Sequence, residues 1–238
     1  MQANRKEILR YLGYRGKPAD ETVDALITSC LSELAQVSQP KSVFAQFDAT
    51  IGEEIVDFAG LCITSKKLAS HLRGCDRVIA FAATLGSGVD RLMARYERVD
   101  MSSAVVIQAS AAALIEAYCN ECCEHFAREA GEQGYFLRPR FSPGYADFSI
   151  QYQGDLLRLL DTAKKIGLSM TESCMLVPAL HLPVTLLQAR RSSWVSSLSM
   201  HRARTLLPVF VHLCLLLRWS RSSLKLSLIH ICYIGINR

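Results

Sequence analysis

Arg138-Pro139-Arg140-Phe141-Ser142-Pro143-Gly144-Tyr145-Ala146-Asp147 places two prolines, two guanidiniums, a glycine and an aromatic ring within one short segment. Pro139 and Pro143 fix φ near about −65° and remove two backbone donors, so the segment reads as extended chain running into a turn at Pro143-Gly144 rather than as helix. Arg140 carries a planar fork of donors that suits a carboxylate or a phosphate. Gly144 has no Cβ to hold a ligand away from the main chain, and Tyr145 offers a flat face to a cation or a heterocycle. Ser142 lies between them and is grouped with Arg140, Gly144 and Tyr145 as a candidate for ligand binding. On spacing alone the simpler reading is a surface turn joining two elements, with both arginines solvated and Tyr145 half buried, because Pro-Gly turns are common.

The downstream context favours a ligand site. Asp155-Leu156-Leu157-Arg158-Leu159-Leu160-Asp161 is followed by Lys164-Lys165-Ile166-Gly167-Leu168 and then by Met170-Thr171-Glu172-Ser173. From Arg138 to Pro178 the chain resembles the activation domain of cobalamin-dependent methionine synthase, the domain that binds S-adenosylmethionine. That family carries an Arg-x-x-Pro-Gly-Tyr-type segment, a helix and a Thr-Glu-Ser segment, and Arg140, Pro143, Gly144, Tyr145, Thr171, Glu172 and Ser173 match it in order. The segments Arg5-Lys6-Glu7-Ile8-Leu9-Arg10-Tyr11-Leu12-Gly13-Tyr14 and Ala83-Thr84-Leu85-Gly86 look more loosely like family members without the catalytic modules. The resemblance spans Met1 to Pro178 and implies an α+β fold, a twisted, mainly antiparallel sheet with flanking helices.

Composition changes where the resemblance ends. The chain has 238 residues, half of them apolar, and a formal net charge of +5. Length and apolar content suffice for one sizeable core. After Glu172 there is no Asp or Glu, yet eight Lys and Arg follow; the first 172 residues hold 19 basic and 22 acidic side chains, a net of −3. Both tryptophans, Trp194 and Trp219, and four of the six histidines lie beyond Pro178, whereas Gly235 is the one glycine there. The expectation is a domain over 1–178 and an anomalous tail over 179–238, produced by a reading-frame slip near Pro178 or Ala179 that makes Leu180 to Arg238 out-of-frame or foreign. Leu206 to Leu217 is a twelve-residue apolar run broken by His212, short of the roughly twenty residues a bilayer span needs. The tail arginines show neither a helical face nor regular aromatic interleaving, so a nucleic-acid or lipid patch and an extra helical subdomain are the weaker readings.

Periodicity sketches the body. Helices are expected over 5–12, 18–34, 65–72, 89–98 and 102–130, with Val23, Leu26, Ile27, Cys30 and Leu34 on one stripe of the second. Strands are expected over 42–47, within 51–58 and over 77–83. Neither a repeat nor a signal peptide is apparent. One compact cytoplasmic domain is the expectation, with nine cysteines pointing to a reducing compartment.

Three further motifs invite chemistry. Thr84-Leu85-Gly86-Ser87-Gly88-Val89-Asp90 joins a strand to a helix and could cradle a phosphate, but Arg91 stands where the dinucleotide fingerprint needs its third glycine, so a packing turn is the plainer reading. Cys119, Cys122 and Cys123 lie within one helix without a second pair at zinc-like spacing, so no metal is expected; nearby His125 reads as a solvated helix residue. Glu116, one turn earlier, is an exposed glutamate or a partner for the ammonium of an amino-acid ligand, and the resembled family has an acidic residue at a similar place. Glu172 poses the same question and is expected at the rim of the sheet.

The resemblance implies S-adenosylmethionine as ligand, with Arg140 on its carboxylate, Gly144 allowing main-chain hydrogen bonds and Tyr145 packing on it. It implies methyl transfer to the reduced cobalt of cobalamin on a partner protein or domain, with no acid–base catalytic residue in this chain. The chain is expected to lack modules for homocysteine, folate and cobalamin. It would then be a stand-alone reactivation subunit working with a flavodoxin-like electron donor, without nucleic acid or membrane. A module that senses S-adenosylmethionine or another nucleotide without methyl transfer is the alternative, and a nucleotide enzyme using Gly86-Ser87-Gly88 a third.

Overall fold

The computed structural model describes residues 2–14, 16, 18–179 and 181–191, the last span by its backbone. Asn4 and Asp20 open the first two helices, α1 (Arg5–Tyr11) and α2 (Glu21–Val37), where their side chains accept the N–H of Lys6 and Val23. Ile27, Cys30 and Leu34 of α2 are buried, and Val23 and Leu26 pack against the same core. The stripe read from the 3.6-residue period is therefore the inward face. Strand β1 (Lys41–Ile51) is longer than its alternating stretch predicts and turns back into β2 (Ile55–Phe58) and β3 (Leu61–Thr64). Ser65 caps α3 (Lys66–Leu72) by accepting the N–H of Leu68.

There follow β4 (Arg77–Thr84), α4 (Ser87–Val99) and the long α5 (Met101–Glu132). Then come β5 (Tyr135–Phe141), α6 (Tyr152–Leu160), α7 (Thr162–Ile166), the short β6 (Ser169–Met170) and β7 (Leu176–Val177), and β8 (His181–Arg191). The main sheet has the order β3-β2-β1-β4-β8-β5, and its pairings are antiparallel. β6 and β7 form a separate hairpin. The fold is α+β, as expected.

β4 decides the layering. Ile79, Phe81 and Ala83 belong to a core shared with α1, α2, α4 and α5, whereas Val78, Ala80 and Ala82 belong to a second core shared with α3, α6, α7 and the β2–β3 hairpin. A continuous apolar run needs cover on both sides, unlike an alternating strand. α5 provides it on one face: Ala109, Ala111, Ala112 and Ala113 are buried, and such small side chains let the sheet and the outer helices approach closely. α5 is also long and apolar enough to cross a membrane, but 72% of its most apolar window is buried inside the fold.

The boundary expected after Pro178 is not where the sheet ends. Residues 181–191 form β8, which pairs with β4 on one side and β5 on the other. The expected tail features, Trp194, Trp219 and the run Leu206 to Leu217, lie outside the described residues, as does the remainder of the anomalous segment.

The turn at Gly86-Ser87-Gly88 is a packing device. A Cβ on Gly88 would stand 2.4 Å from the carbonyl oxygen of Val37, at the C-terminus of α2. Gly86 adopts φ +83° and the adjacent Leu85 carbonyl accepts the N–H of Gln39 at 2.8 Å. Backbone cannot yield as a side chain can, so Gly88→Ala should destabilise by about 1–3 kcal/mol, the usual cost of overpacking. Gly131→Ala, where a Cβ meets nothing within 4 Å, should stabilise α5 by about 0.5–1 kcal/mol. Urea unfolding of both variants checks the contrast.

Candidate functional site

Alternation along β5 would put Arg138 and Arg140 on one face of the sheet. The pairing of β5 with β8 instead shifts register between Arg138 and Phe141, and the two arginines reach opposite layers, as an extra residue in a strand allows. Arg138 turns to α3, where Nη1 donates to the carbonyl of His71 at 2.7 Å and Nη2 to that of Arg73 at 3.1 Å. A cation there satisfies carbonyls at the end of a helix and suits the negative end of its dipole. His71 Nε2 lies 3.0 Å from the carbonyl oxygen of Pro139, and burial holds its pKa below the ordinary histidine value despite that hydrogen bond. Arg138 is thus a structural clamp.

Arg140 turns to α5. Its Nη2 donates to Glu116 Oε2 at 3.1 Å and to Asn120 Oδ1 at 2.9 Å. The Arg140 and Glu116 side chains are 11% and 17% exposed, so the ion pair is shielded yet open to a ligand at its edge. The two residues proposed to hold opposite charges of one ligand therefore stand together, each already compensated by the other. Asn120 was not read from the sequence; its signal is its position four residues after Glu116, on the same helical face.

Past Phe141 the chain folds on itself. Tyr145 N–H donates to the Ser142 carbonyl at 3.2 Å, Gly144 N–H to the Phe148 carbonyl at 2.7 Å and Phe148 N–H to the Tyr145 carbonyl at 2.9 Å. Gly144 sits at φ +87° and Ala146 at φ +52°, a conformation that glycine takes without strain at the first position. Ser142 is buried, and Tyr145 is half-buried with its ring edge-on to Phe141 at 5.0 Å. The segment is a tight turn in which Gly144 and Tyr145 are half-buried, Tyr145 against the second core, and its Arg140 is shielded rather than solvated.

Asp147 anchors that turn to the far layer. Its carboxylate accepts the Ser65 hydroxyl at 2.5 Å and the Lys67 N–H at 3.2 Å, next to the N-terminus of α3. Burial pushes its pKa up, but the hydrogen bonds from Ser65 and from the Lys66 and Lys67 amides outweigh this and hold it below the ordinary 3.8.

Glu172 is exposed, in the turn of the β6–β7 hairpin, which pairs apart from the main sheet. Thr171 holds this turn: its hydroxyl lies 2.9 Å from that of Ser173 and accepts the N–H of Met175 at 3.1 Å. Cys119 is buried, and Cys122 and Cys123 are partly so. Burial pushes the Cys123 thiol up to about 11, which keeps it protonated at neutral pH. Cys30, Cys62, Cys122, Cys123 and Cys174 are thiols rather than disulfides. Among the described residues no three His, Cys, Asp or Glu gather as metal ligands do. His125 pairs with Glu129 at 3.3 Å on the solvent side of α5. At the Gly86–Gly88 junction, Val37 fills the space over Gly88 and Asp90 occupies the first turn of α4, where its carboxylate accepts the Ala179 N–H at 2.8 Å. An anion there would meet backbone and a carboxylate, so the phosphate-loop reading gives way to the packing turn.

A carboxylate with a lowered folded-state pKa stabilises above its unfolded value, and that stability is lost as pH falls through the folded value. Asp147→Ala should cost about 1 kcal/mol at pH 7, the usual worth of a helix cap, and the difference from the parent should close below the ordinary 3.8. Thermal melts at pH 7 and pH 3 measure it.

The family model described as "Vitamin B12 dependent methionine synthase, activation domain" matches residues 63–194. The match thus begins later than the expected resemblance and continues past Pro178 through β8. No curated protein matches. Among solved structures the chain is similar to one titled "Crystal Structure of the MetH Reactivation Domain bound to AdoHcy", with a TM-score of 0.58 and 17% identity, over 83% of this chain and 73% of that one. At that identity the likeness speaks for the fold. With more than half of its length matched by the family model, the chain belongs to the family of vitamin B12-dependent methionine synthase activation domains.

Proposed function

We propose that the protein binds S-adenosylmethionine and presents its methyl group to a separate corrinoid protein, as a reactivation subunit. The observation that carries this reading is the contact between Glu116 and Arg140. The amino-acid end of S-adenosylmethionine is a zwitterion, and a site for it needs an anion and a cation a few ångströms apart. Glu116 would take the ammonium and Arg140 the carboxylate, so neither side chain is left as a shielded charge without a counter-charge, before or after binding. Gly144 lets the ligand approach the main chain, Tyr145 packs on it, and Ser142 holds the turn through its carbonyl. Glu172, on the exposed hairpin turn, would be a further ligand contact. Membership of the family and the AdoHcy in the similar reactivation domain support this ligand.

Cobalamin on the partner would supply a reduced cobalt as the methyl acceptor, kept reduced by an electron from a flavodoxin-like donor. The sulfur–methyl bond would break as the cobalt–methyl bond forms, S-adenosylhomocysteine would leave, and the chain would neither donate nor accept a proton. Its contribution is to hold the sulfonium methyl in place and in line. No described residue is assigned as a catalytic acid or base.

Calorimetry of the 238-residue protein should show S-adenosylmethionine binding, weakened about 30-fold to 5,000-fold in Arg140→Ala, the range for truncating one member of a shielded charge pair. Absence of binding to the parent would refute the proposal. With methyl-labelled S-adenosylmethionine, a reductant and a corrinoid protein, label on cobalt supports reactivation, whereas bound but unreacted ligand supports the sensing alternative.

A further inference from the structure

Two acceptors on α5 converge on one nitrogen of Arg140. Nη2 carries two hydrogens, and it lies 3.1 Å from Glu116 Oε2 and 2.9 Å from Asn120 Oδ1. One acceptor is an anion, the other a neutral amide, and they stand one helical turn apart on one face. We infer that Asn120 is a positioning residue for the site, holding the Arg140 guanidinium in its binding orientation while Glu116 engages the cationic end of the ligand. This rests on the zwitterion site proposed above and adds a residue to it.

The physical reason is competition for charge. When a ligand ammonium comes to Glu116, the carboxylate divides its interaction between ammonium and guanidinium, and Arg140 loses part of the contact that fixes its plane. Asn120 keeps its hydrogen bond because it has no charge for the ammonium to draw. A carboxylate at position 120 would hold Arg140 as well but would oppose the incoming ligand carboxylate; the amide does not. Cys123, one turn further along α5, adds no second anion, since its partly buried thiol stays protonated. Arg140 therefore meets the ligand with its positive charge offset by Glu116 alone among these three helix residues.

Calorimetry on the full 238-residue chain tests this with Asn120→Ala and two ligands, S-adenosylmethionine and its decarboxylated analogue. The analogue keeps the ammonium, sulfonium and adenosine but lacks the group that Arg140 binds. Alanine is the better helix former, and residue 120 is exposed, so the melting temperature should not fall. The expected result is S-adenosylmethionine binding weakened about tenfold, the worth of one hydrogen bond to a charged group, with analogue binding unchanged. Equal loss for both ligands would assign Asn120 a general structural role and overturn the inference, as would unchanged binding of S-adenosylmethionine. If the parent binds the analogue as tightly as S-adenosylmethionine, or binds neither, the zwitterion site itself is wrong and the inference falls with it.

Discussion

The rest of the molecule depends on β4 being apolar on both faces. Val78, Ala80 and Ala82 look one way and Ile79, Phe81 and Ala83 the other, and all are buried. Burying a strand of this kind demands two layers of helices, because each large apolar side chain left in water would forfeit about 1.5–3 kcal/mol. α5 covers one face, and α3, α6 and α7 pack on the other. Every element that shapes the site is positioned by this requirement.

The site follows from how β5 and its neighbours meet those layers. α5 lies along the sheet with Glu116 and Asn120 facing β5, and the irregular pairing of β5 with β8 brings Arg140 to them. Without that register shift Arg140 would project to the same side as Arg138. Beyond Phe141 the chain is fastened to the opposite layer through Asp147 and Ser65. The Gly144–Tyr145 turn is thus strung between two anchors, one in each helical layer. A turn anchored this way is ordered without a ligand, which would spare binding the ordering of a loop.

Much of this was legible in the sequence. The helices at α1 to α5 and the strands β1 and β4 follow from period and capping residues, within a few residues at their ends. β3, β6 and β7 are too short for periodicity to register, and β8 lies where composition suggested that the fold had ended. Leucine, valine and threonine in 181–191 suit a strand, but the loss of acidic residues and the sudden arginines masked that signal. Arg140, Gly144, Tyr145 and Glu116 stand out as candidates by residue type and motif resemblance, whereas the contact of Arg140 with Glu116 depends on a bulge that no local spacing announces. Asn120 and Asp147 escaped because an amide on a helix and a carboxylate after a turn are ordinary until a partner from elsewhere is seen beside them. Gly88 was legible as a packing turn, and Val37 supplies the reason.

The most direct measurement is a crystal structure of the chain with S-adenosylhomocysteine. The expected result is density with the amino-acid end between Glu116 and Arg140 and the nucleoside against the Gly144–Tyr145 turn, with the Asn120 hydrogen bond to Arg140 intact. Ligand density elsewhere, such as at the Gly86–Gly88 junction, with the Glu116–Arg140 pair undisturbed and uncontacted, would contradict it.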